Sequence, residues 1–352
     1  MTNFDEYLRQ SEPHKREKGY AWQTAIGLQA VDGLKPSEYL IETARQHIEG
    51  DITIDEVQER IKSYYQSKTI RTKESEGTEE ADKASANITK LLNEKSFAFT
   101  VAGLTAVHRR IFDGVFKFAG KIRDYNITKK EWVLEGDTVL YVSAPDIRKA
   151  IEYDIEQEKA FDYTGMNMEQ IVNHITKFIS SLWQIHPFGE GNTRTIAVFT
   201  IQYLRSMGFN VKNDLFANHS WYFRNALLRA NYQNIQKGVN RNPEYLECFF
   251  RNLLMGEKNK LRNRSMHIGT EVQSITSEIS KSQIDTLNCT LEEKALLDCI
   301  RKNPQIKQQE MAKQIEKSIA TVKRLTVGLG KKGIIERKNG KRNGFWEVKI
   351  SL

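Results

Sequence analysis

His186, Glu190 and Arg194 recur at intervals of four in the run HPFGEGNTR, residues 186–194, with Gly189, Gly191, Asn192 and Thr193 between them. Each residue type brings a capability. An imidazole with an unperturbed pKa near ~6.5 can accept a proton from an attacking hydroxyl at neutral pH. A carboxylate can hold Mg²⁺ bridged to phosphate oxygens. A guanidinium fork matches phosphate geometry. Glycines let backbone approach a ligand closely. Where such a run opens a helix, its N–H groups and the helix dipole make a seat for an anion. Phe188 is apolar and suited to anchor the loop in a core. Together these residues suit phosphoryl or nucleotidyl transfer from a Mg-nucleotide to a hydroxyl. Catalysis would then come from positioning and charge stabilisation without a covalent intermediate.

The flanking sequence supplies the elements that must hold this set. MEQIVNHITKFISSLWQI has the spacing of an apolar helix and runs straight into His186. TIAVFTIQYLRSMG is a second buried helix leading away and ending near Gly208. The motif is therefore a loop between two core helices, and its second half becomes a helix N-terminus. Upstream, Trp132-Val133-Leu134 and Val139-Leu140-Tyr141-Val142 flank Glu135-Gly136-Asp137, which predicts a β-hairpin. The WYFRNALLRANY stretch, 221–232, reads as a packing helix, with a nucleotide-lining role for Arg229 and Tyr232 as the alternative.

The run resembles the signature of Fic-domain proteins, H-x-F-x-[D/E]-G-N-G-R-x-x-R, through His186, Phe188, Glu190, Gly191, Asn192 and Arg194. The context matches too, with AGKIRDYNI before the hairpin, and the resemblance spans roughly residues 68–255. It implies a protein adenylyltransferase that moves AMP from ATP to a hydroxyl side chain of a target protein. In that case His186 is the base and Glu190 binds Mg²⁺. Gly189, Gly191, Asn192, Thr193 and Arg194 bind the nucleotide phosphates. The flap, Trp132, Val133 and Leu134, would align the target by strand addition. Two positions depart from the family. Thr193 replaces the usual Gly, where a phosphate-transferring branch has Lys, so transfer of phosphate or another nucleotide is an alternative. Ala197 replaces the final arginine, which in the family grips the γ-phosphate.

Residues 20–65 resemble the VbhA-like antitoxins through AVDGLKP and EGDITIDEV. The resemblance implies an inhibitory Ser/Thr and Glu, which fall here on Leu28 and Asp32. With Ala197 in place of their arginine partner, that pair is expected to be broken on both sides. A second inhibitory candidate is TKESEG, with Glu76. Around these, residues 1–18 are expected to be loose, Thr53 with Glu56 marks a capping box, and SKTIRTKESEGTEEADK is expected to be a charged loop.

The chain has 352 residues, 39% hydrophobic and 28% charged, which suits two or three soluble domains. No apolar run approaches the ~18 residues of a membrane span, and the polar N-terminus lacks a signal-peptide core, so a cytoplasmic protein without membrane partners is expected. Cys248, Cys289 and Cys299 are read as reduced thiols. From Leu291 onward 11 Lys and 4 Arg face 7 acidic residues, which accounts for the whole net charge of +8. That segment reads as three helices and a strand–turn–strand unit, a winged helix. Lys323, Arg324, Lys338 and Arg342 are its DNA-binding candidates.

The expected architecture is mainly α. An N-terminal antitoxin-like domain covers 1–66, the Fic-type core with its flap 67–257, a linker 258–290 and the winged helix 291–352. ATP is the expected substrate, Mg²⁺ the expected cofactor, and a homodimer is open. A reading from a different class is a DNA-binding regulator that uses the Fic core as a nucleotide sensor.

Overall fold

The computed structural model describes residues 4–9, 12–67, 73–211, 214–269, 291–315, 317–331, 335–338 and 344–348. They are mainly helical and divide into two compact units, residues 1–270 and 271–352.

The first unit opens with α1 (Asp5–Leu8), α2 (Pro13–Gly27), a 3₁₀ turn (Leu28–Asp32), α3 (Glu38–Glu49) and α4 (Ile54–Gln66). The N-terminus is not loose over 12–18. Pro13 stands at the start of α2, where a missing N–H costs nothing, and Phe4 and Tyr7 are buried in a cluster with Trp22. The Ser37 hydroxyl caps α3 by accepting from Leu40 N–H, and Thr53 with Glu56 forms the reciprocal box that starts α4. The charged run after residue 72 is also not a loop: α5 spans Lys73–Asn93. Its Ala81, Ala84, Ile88 and Leu91 recur at intervals of three and four and are all buried. Tertiary burial of that stripe overrides the polar composition.

Then come α6 (Val101–Ile111), α7 (Ile147–Ala160), α8 (Met168–Ile185), α9 (Asn192–Ser206), α10 (Asp214–Asn231) and α11 (Glu244–Met255). Every residue of α9 from Asn192 to Leu204 is buried, so this helix is the axis of the unit, with α5, α6, α8 and the 28–32 turn against it. No face of this helix meets water, and its buried Asn192, Thr193, Arg194 and Gln202 find partners inside the unit. The N-terminal helices are joined to this body at Gly27, where an added Cβ would lie 2.3 Å from the Ala217 carbonyl oxygen of α10. Met266 and Ile268, in the stretch that reads as linker, are buried in the same core, while residues 270–290 lie outside the described residues.

The expected β-hairpin at 131–142 is not formed. Trp132–Leu134 is a 3₁₀ turn, and no strand is present among the described residues of the first unit. Val133 and Leu134 are consecutive yet both buried. A strand would send them to opposite faces, so core burial of both selects a turn. What closes the segment is a turn, with Glu131 N–H donating to Asp137 O at 3.0 Å and Gly136 N–H to Glu131 O at 2.9 Å.

The second unit contains α12 (Leu291–Lys302), α13 (Gln308–Gln314), α14 (Ile319–Lys331), β1 (Ile335–Lys338) and β2 (Phe345–Val348). The strands pair antiparallel with Ile335 opposite Val348. Leu296, Ile300, Met311, Val322 and Leu329 form its core, and Trp346 N–H donates to the Pro304 carbonyl at 2.7 Å. This is a winged-helix arrangement. The wing tip, with Arg342, lies outside the described residues.

Burial of histidines gives the first unit a pH dependence. Desolvation pushes His47 and His108 down to about 4. Trp22 Nε1–H donates to His47 Nδ1 at 3.0 Å, which needs the neutral ring. Below ~6.5 the unfolded chain protonates these rings while the folded chain resists, so their contribution to stability is present above ~6.5 and lost as pH falls toward 4. Half-buried Asp154, raised to about 6 by desolvation, acts in the opposite sense. The melting temperature of His47→Gln is therefore expected to fall less steeply than that of the unaltered chain between pH 6.5 and 4. Parallel curves in calorimetry would rule this out.

Candidate functional site

The turn between α8 and α9 begins with His186 as the C-cap of α8, at φ 51° and ψ 59°. A non-glycine residue in this left-handed region costs ~1–2 kcal/mol, and the cost is met by a buried guanidinium. Arg123 Nε donates to the His186 carbonyl at 2.8 Å and Nη1 to Tyr125 O at 2.6 Å. Its Nη2 donates to Val142 O at 2.5 Å, and its backbone N–H to Pro187 O at 2.9 Å. One side chain thus ties the loop to both ends of the 125–142 segment.

The next residues are fixed from the opposite side. Phe188 stacks on the His108 ring with centroids 3.8 Å apart. Gly120 N–H donates to His108 Nδ1 at 2.8 Å, so the ring proton is on Nε2, which donates to the Glu190 carbonyl at 3.0 Å. Asn192, placed at the anion seat by its position at the helix entry, turns its side-chain amide into the loop and leaves its backbone at the seat. The amide accepts from Phe188 N–H at 2.9 Å and donates to Phe188 O at 2.7 Å. Thr193 does not present its hydroxyl to the seat either, since Oγ1 accepts from Trp183 Nε1–H at 3.0 Å in the core. Gly191, the N-cap of α9, has φ 73°, and a Cβ there would meet the Phe112 ring at 2.2 Å. Gly189 faces Tyr125, whose hydroxyl would be 2.6 Å from an added Cβ. The first-turn N–H groups of α9 lack intrahelical acceptors, so what remains at the seat is backbone.

His186 is only 3% exposed. Nδ1 lies 3.3 Å from the Trp183 carbonyl, which can only accept, so Nδ1 carries the proton and Nε2 keeps its lone pair. Burial first, then nearby Lys129, hold the ring well below the ordinary histidine value, with Arg123 and Arg224 adding to the effect. The imidazole is thus neutral near pH 7. The Tyr141 ring covers it with centroids 4.2 Å apart.

The charged residues open onto a cavity of about 490 Å³ lined by Asp32, Glu80, Glu190, Arg194, Trp221 and Arg224, among others. Arg194 is 1% exposed and uses all three nitrogens. Nη1 donates to Gln29 Oε1 at 2.9 Å, Nη2 to Glu80 Oε1 at 2.6 Å, and Nε stands 2.8 Å from Asp32 Oδ2 as an ion pair without an aligned N–H bond. The face of the guanidinium rests on Phe112, 4.7 Å from the ring centroid. Asp32 is therefore not left partnerless by Ala197, which is itself buried in α9; it pairs with Arg194 instead. Glu76 lines an adjoining cavity of about 780 Å³ that shares Glu80 and Phe116 with this one, and the acidic partner that α5 supplies is Glu80, one turn on. Glu190 is paired with Lys129 at 2.9 Å.

Of the flap residues, Val133 and Leu134 are in the core, and exposed Trp132 lies against His267. Arg229 donates to the Met266 carbonyl and Tyr232 to Asp137, so both hold structure. Sequence reasoning missed Arg123, His108, Glu80, Lys129, Glu131 and Arg224. Only Arg123 had a signal, the AGKIRDYNI context; the rest meet their partners across long stretches of chain. In the second unit Lys323 and Arg324 are exposed on α14, while Lys338 is paired with Glu336 at 3.0 Å.

The fold and this loop define a mainly helical body built round a histidine-bearing turn at the start of its central helix. Residues 98–204 match the Fic/DOC family model and residues 289–344, in the winged helix, the MarR family model. It is 25% identical over 116 residues to "Protein adenylyltransferase VbhT" of Bartonella schoenbuchensis, covering 33% of this chain and 23% of that protein. The chain thus spans about a quarter of the length of that relative. Similar solved structures include the N-terminal FIC domain of the Bep8 protein from Bartonella sp. 1-1C, at 19% identity, 53% of this chain, 88% of that chain and TM-score 0.42. Another is the BepC protein with bound AMPPNP from Bartonella tribocorum, at 18% identity, 54% of this chain, 94% of that chain and TM-score 0.37.

Removing both carboxylates from Arg194 leaves a buried cation unpaired, which costs ~3–5 kcal/mol. Asp32→Asn with Glu80→Gln is expected to lower the melting temperature in chloride buffer and to regain much of it in phosphate. The unaltered chain should gain far less from phosphate. Equal gains in the two proteins would show that Asp32 and Glu80 do not guard an anion site.

Proposed function

We propose that this protein is an adenylyltransferase that moves AMP from ATP to a hydroxyl side chain of a target protein, with His186 as base. The observation that carries the reading is the state of His186: neutral, with Nδ1 fixed by a carbonyl and Nε2 free, at the entry to a helix N-terminus that presents open N–H groups. In the reaction the target hydroxyl gives its proton to His186 Nε2. Its oxygen bonds to the α-phosphorus, the bond from that phosphorus to the bridging oxygen breaks, and pyrophosphate leaves. The backbone of Gly191, Asn192 and Thr193, with the Arg194 guanidinium, stabilises the phosphate oxygens. Phosphate entering near His186 raises its proton affinity and strengthens it as a base.

Mg²⁺ fits the donor set. Glu190 is a single half-exposed carboxylate already attracting a cation, Lys129, and Mg²⁺ commonly takes only one or two carboxylates beside phosphate and water. Among the described residues no three acidic, His or Cys side chains gather into a metal cage. When bound with the nucleotide, Mg²⁺ would be held by Glu190 and would offset phosphate charge.

The helices up to residue 66 act as an altered restraint in this reading. Asp32 holds Arg194, with Glu80 of α5 beside it, so phosphate has to displace both carboxylates. Residues 67–257 form the catalytic body, with Met266 and Ile268 packed into its core, the stretch beyond them to 290 the connection and 291–352 a DNA-contacting module. No described helix is long and apolar enough to cross a membrane, in keeping with a cytoplasmic enzyme.

With ATP labelled at the α- or the γ-phosphate, transfer to protein is expected from the α-label only and is lost in His186→Ala. Transfer from the γ-label alone would replace AMP transfer with phosphotransfer. No transfer of either, with ATP still bound, would leave a nucleotide sensor.

The MarR-type segment supports a second reading, a DNA-binding regulator. Lys323 and Arg324 are exposed one after the other on α14. If they contact phosphates, Lys323→Ala with Arg324→Ala weakens duplex binding and reduces the salt slope of log K by about two. An unchanged slope in fluorescence anisotropy would remove these two residues from any DNA interface.

A further inference from the structure

We propose that Arg224 of α10 is a second ligand for the phosphate chain of a nucleoside triphosphate, in the cavity it shares with Arg194 and Glu190. The proposal rests on the nucleotide-transfer reading above and assigns a residue that the motif does not contain.

The sequence leaves a gap to be filled. Position 197 is alanine, buried in α9, so that turn of the helix offers no cation. Within the cavity Arg224 lies on another wall, with Trp221 beside it, and its Cζ is 5.2 Å from the Trp221 ring centroid. That stacking holds the guanidinium plane. Glu131, itself 2% exposed on its side chain, fixes one end: both its contacts, at 2.9 Å and 2.6 Å, fall on Arg224 Nη2.

The distribution of donors separates the two arginines. Arg194 has committed Nη1 and Nη2 as donors to Gln29 and Glu80, and its Nε, buried against Asp32 as an ion pair without an aligned hydrogen bond, is closed off from the cavity until Asp32 moves. Arg224 has committed Nη2 alone, and its Nε and Nη1 have no acceptor among the described residues. Arg224 is therefore the guanidinium in this cavity with donors available to an anion before anything moves. Its charge already reaches His186, where it helps to keep the imidazole neutral. A polyphosphate lying between α9 and α10 would meet Arg224 first, and could then displace Asp32 and Glu80 from Arg194.

The test is calorimetric titration of the full chain with ATP and with AMP in Mg²⁺ buffer. Arg224→Ala alone would strand buried Glu131, so the main variant is Arg224→Gln with Glu131→Gln, and Arg224→Lys is a second that keeps the charge. ATP affinity is expected to fall about tenfold or more in the double variant, the loss of a hydrogen bond to a charged group, while AMP changes less than about twofold. Arg224→Lys should lose a smaller part of the ATP affinity and leave AMP unchanged. If the double variant does not fold, the ATP-to-AMP ratio of Arg224→Lys decides. Equal losses for ATP and AMP, or no loss for ATP, would overturn the assignment and make Arg224 a brace for the 131–137 turn. Failure of the unaltered chain to bind either nucleotide would overturn the transfer reading and this inference together.

Discussion

A guanidinium that is 1% exposed sets the conditions for everything around the loop. Arg194 cannot shed its proton, and a bare buried cation is several kcal/mol too costly to keep. It must be met by carboxylates, and they come from the N-terminal part of the chain: Asp32 after α2, and Glu80 on α5. That requirement draws the 28–32 turn onto the start of α9 and lets α2 approach α10 closely at Gly27. The N-terminal helices and helices α5–α11 therefore fold as one compact unit through residue 270. A charge at the candidate site is also a fastening between the N-terminal turn, α5 and the helix that carries it.

The loop is held by the same economy of buried polar groups. Backbone at 186–191 cannot be left without partners once it is packed under α6 and the 112–125 segment. Arg123 serves the carbonyls on one side, His108 that of Glu190 on the other, and Asn192 closes the loop on itself. These three side chains are polar, buried and fully occupied. Such sets hold geometry tightly because a partial loss leaves several groups unsatisfied at once. The result is a turn whose side chains, apart from His186 and Glu190, point into structure.

Much of the fold was legible because it rests on local rules. The Thr53 box, the glycine end of α3 and the helix–loop–helix frame of the motif follow from caps and periodicity. The failures have a common cause. Lys73–Leu92 is rich in Glu and Lys, and only the hidden stripe through Ala81, Ala84 and Ile88 makes it a core helix. Val133 and Leu134 look like strand residues until both are buried by one turn. At the site, the order His-Pro-Phe-Gly-Glu-Gly-Asn-Thr-Arg announced which loop matters. It did not announce which side chains face the cavity. Asn192 and Thr193 turn inward to Phe188 and Trp183, and Glu80, Lys129, Glu131 and Arg224 arrive from far along the chain. Sequence spacing reports neighbours on one element; charge pairing across elements depends on a fold that spacing alone does not supply.

That pairing fixes how an anion can enter. Around the cavity stand three cations, Lys129, Arg194 and Arg224, and four carboxylates, Asp32, Glu80, Glu131 and Glu190, with His186 neutral. The set carries one negative charge in excess, so a free polyphosphate is repelled by the resting arrangement even though arginines line the wall. Like charges at ~4 Å repel by ~4 kcal/mol at a partly buried site. Two changes reverse the sign: a divalent cation arriving with the phosphates, and withdrawal of Asp32 and Glu80 from Arg194. The first is met at Glu190, which is half-exposed and holds only a lysine. The second needs both the 28–32 turn, which carries Asp32, and the Glu80 side chain of α5 to yield. If a nucleotide's phosphates take Arg194, as proposed, their binding and the contact of Asp32 with Arg194 are linked, and whatever loosens that contact tightens the binding of phosphate by the same free energy.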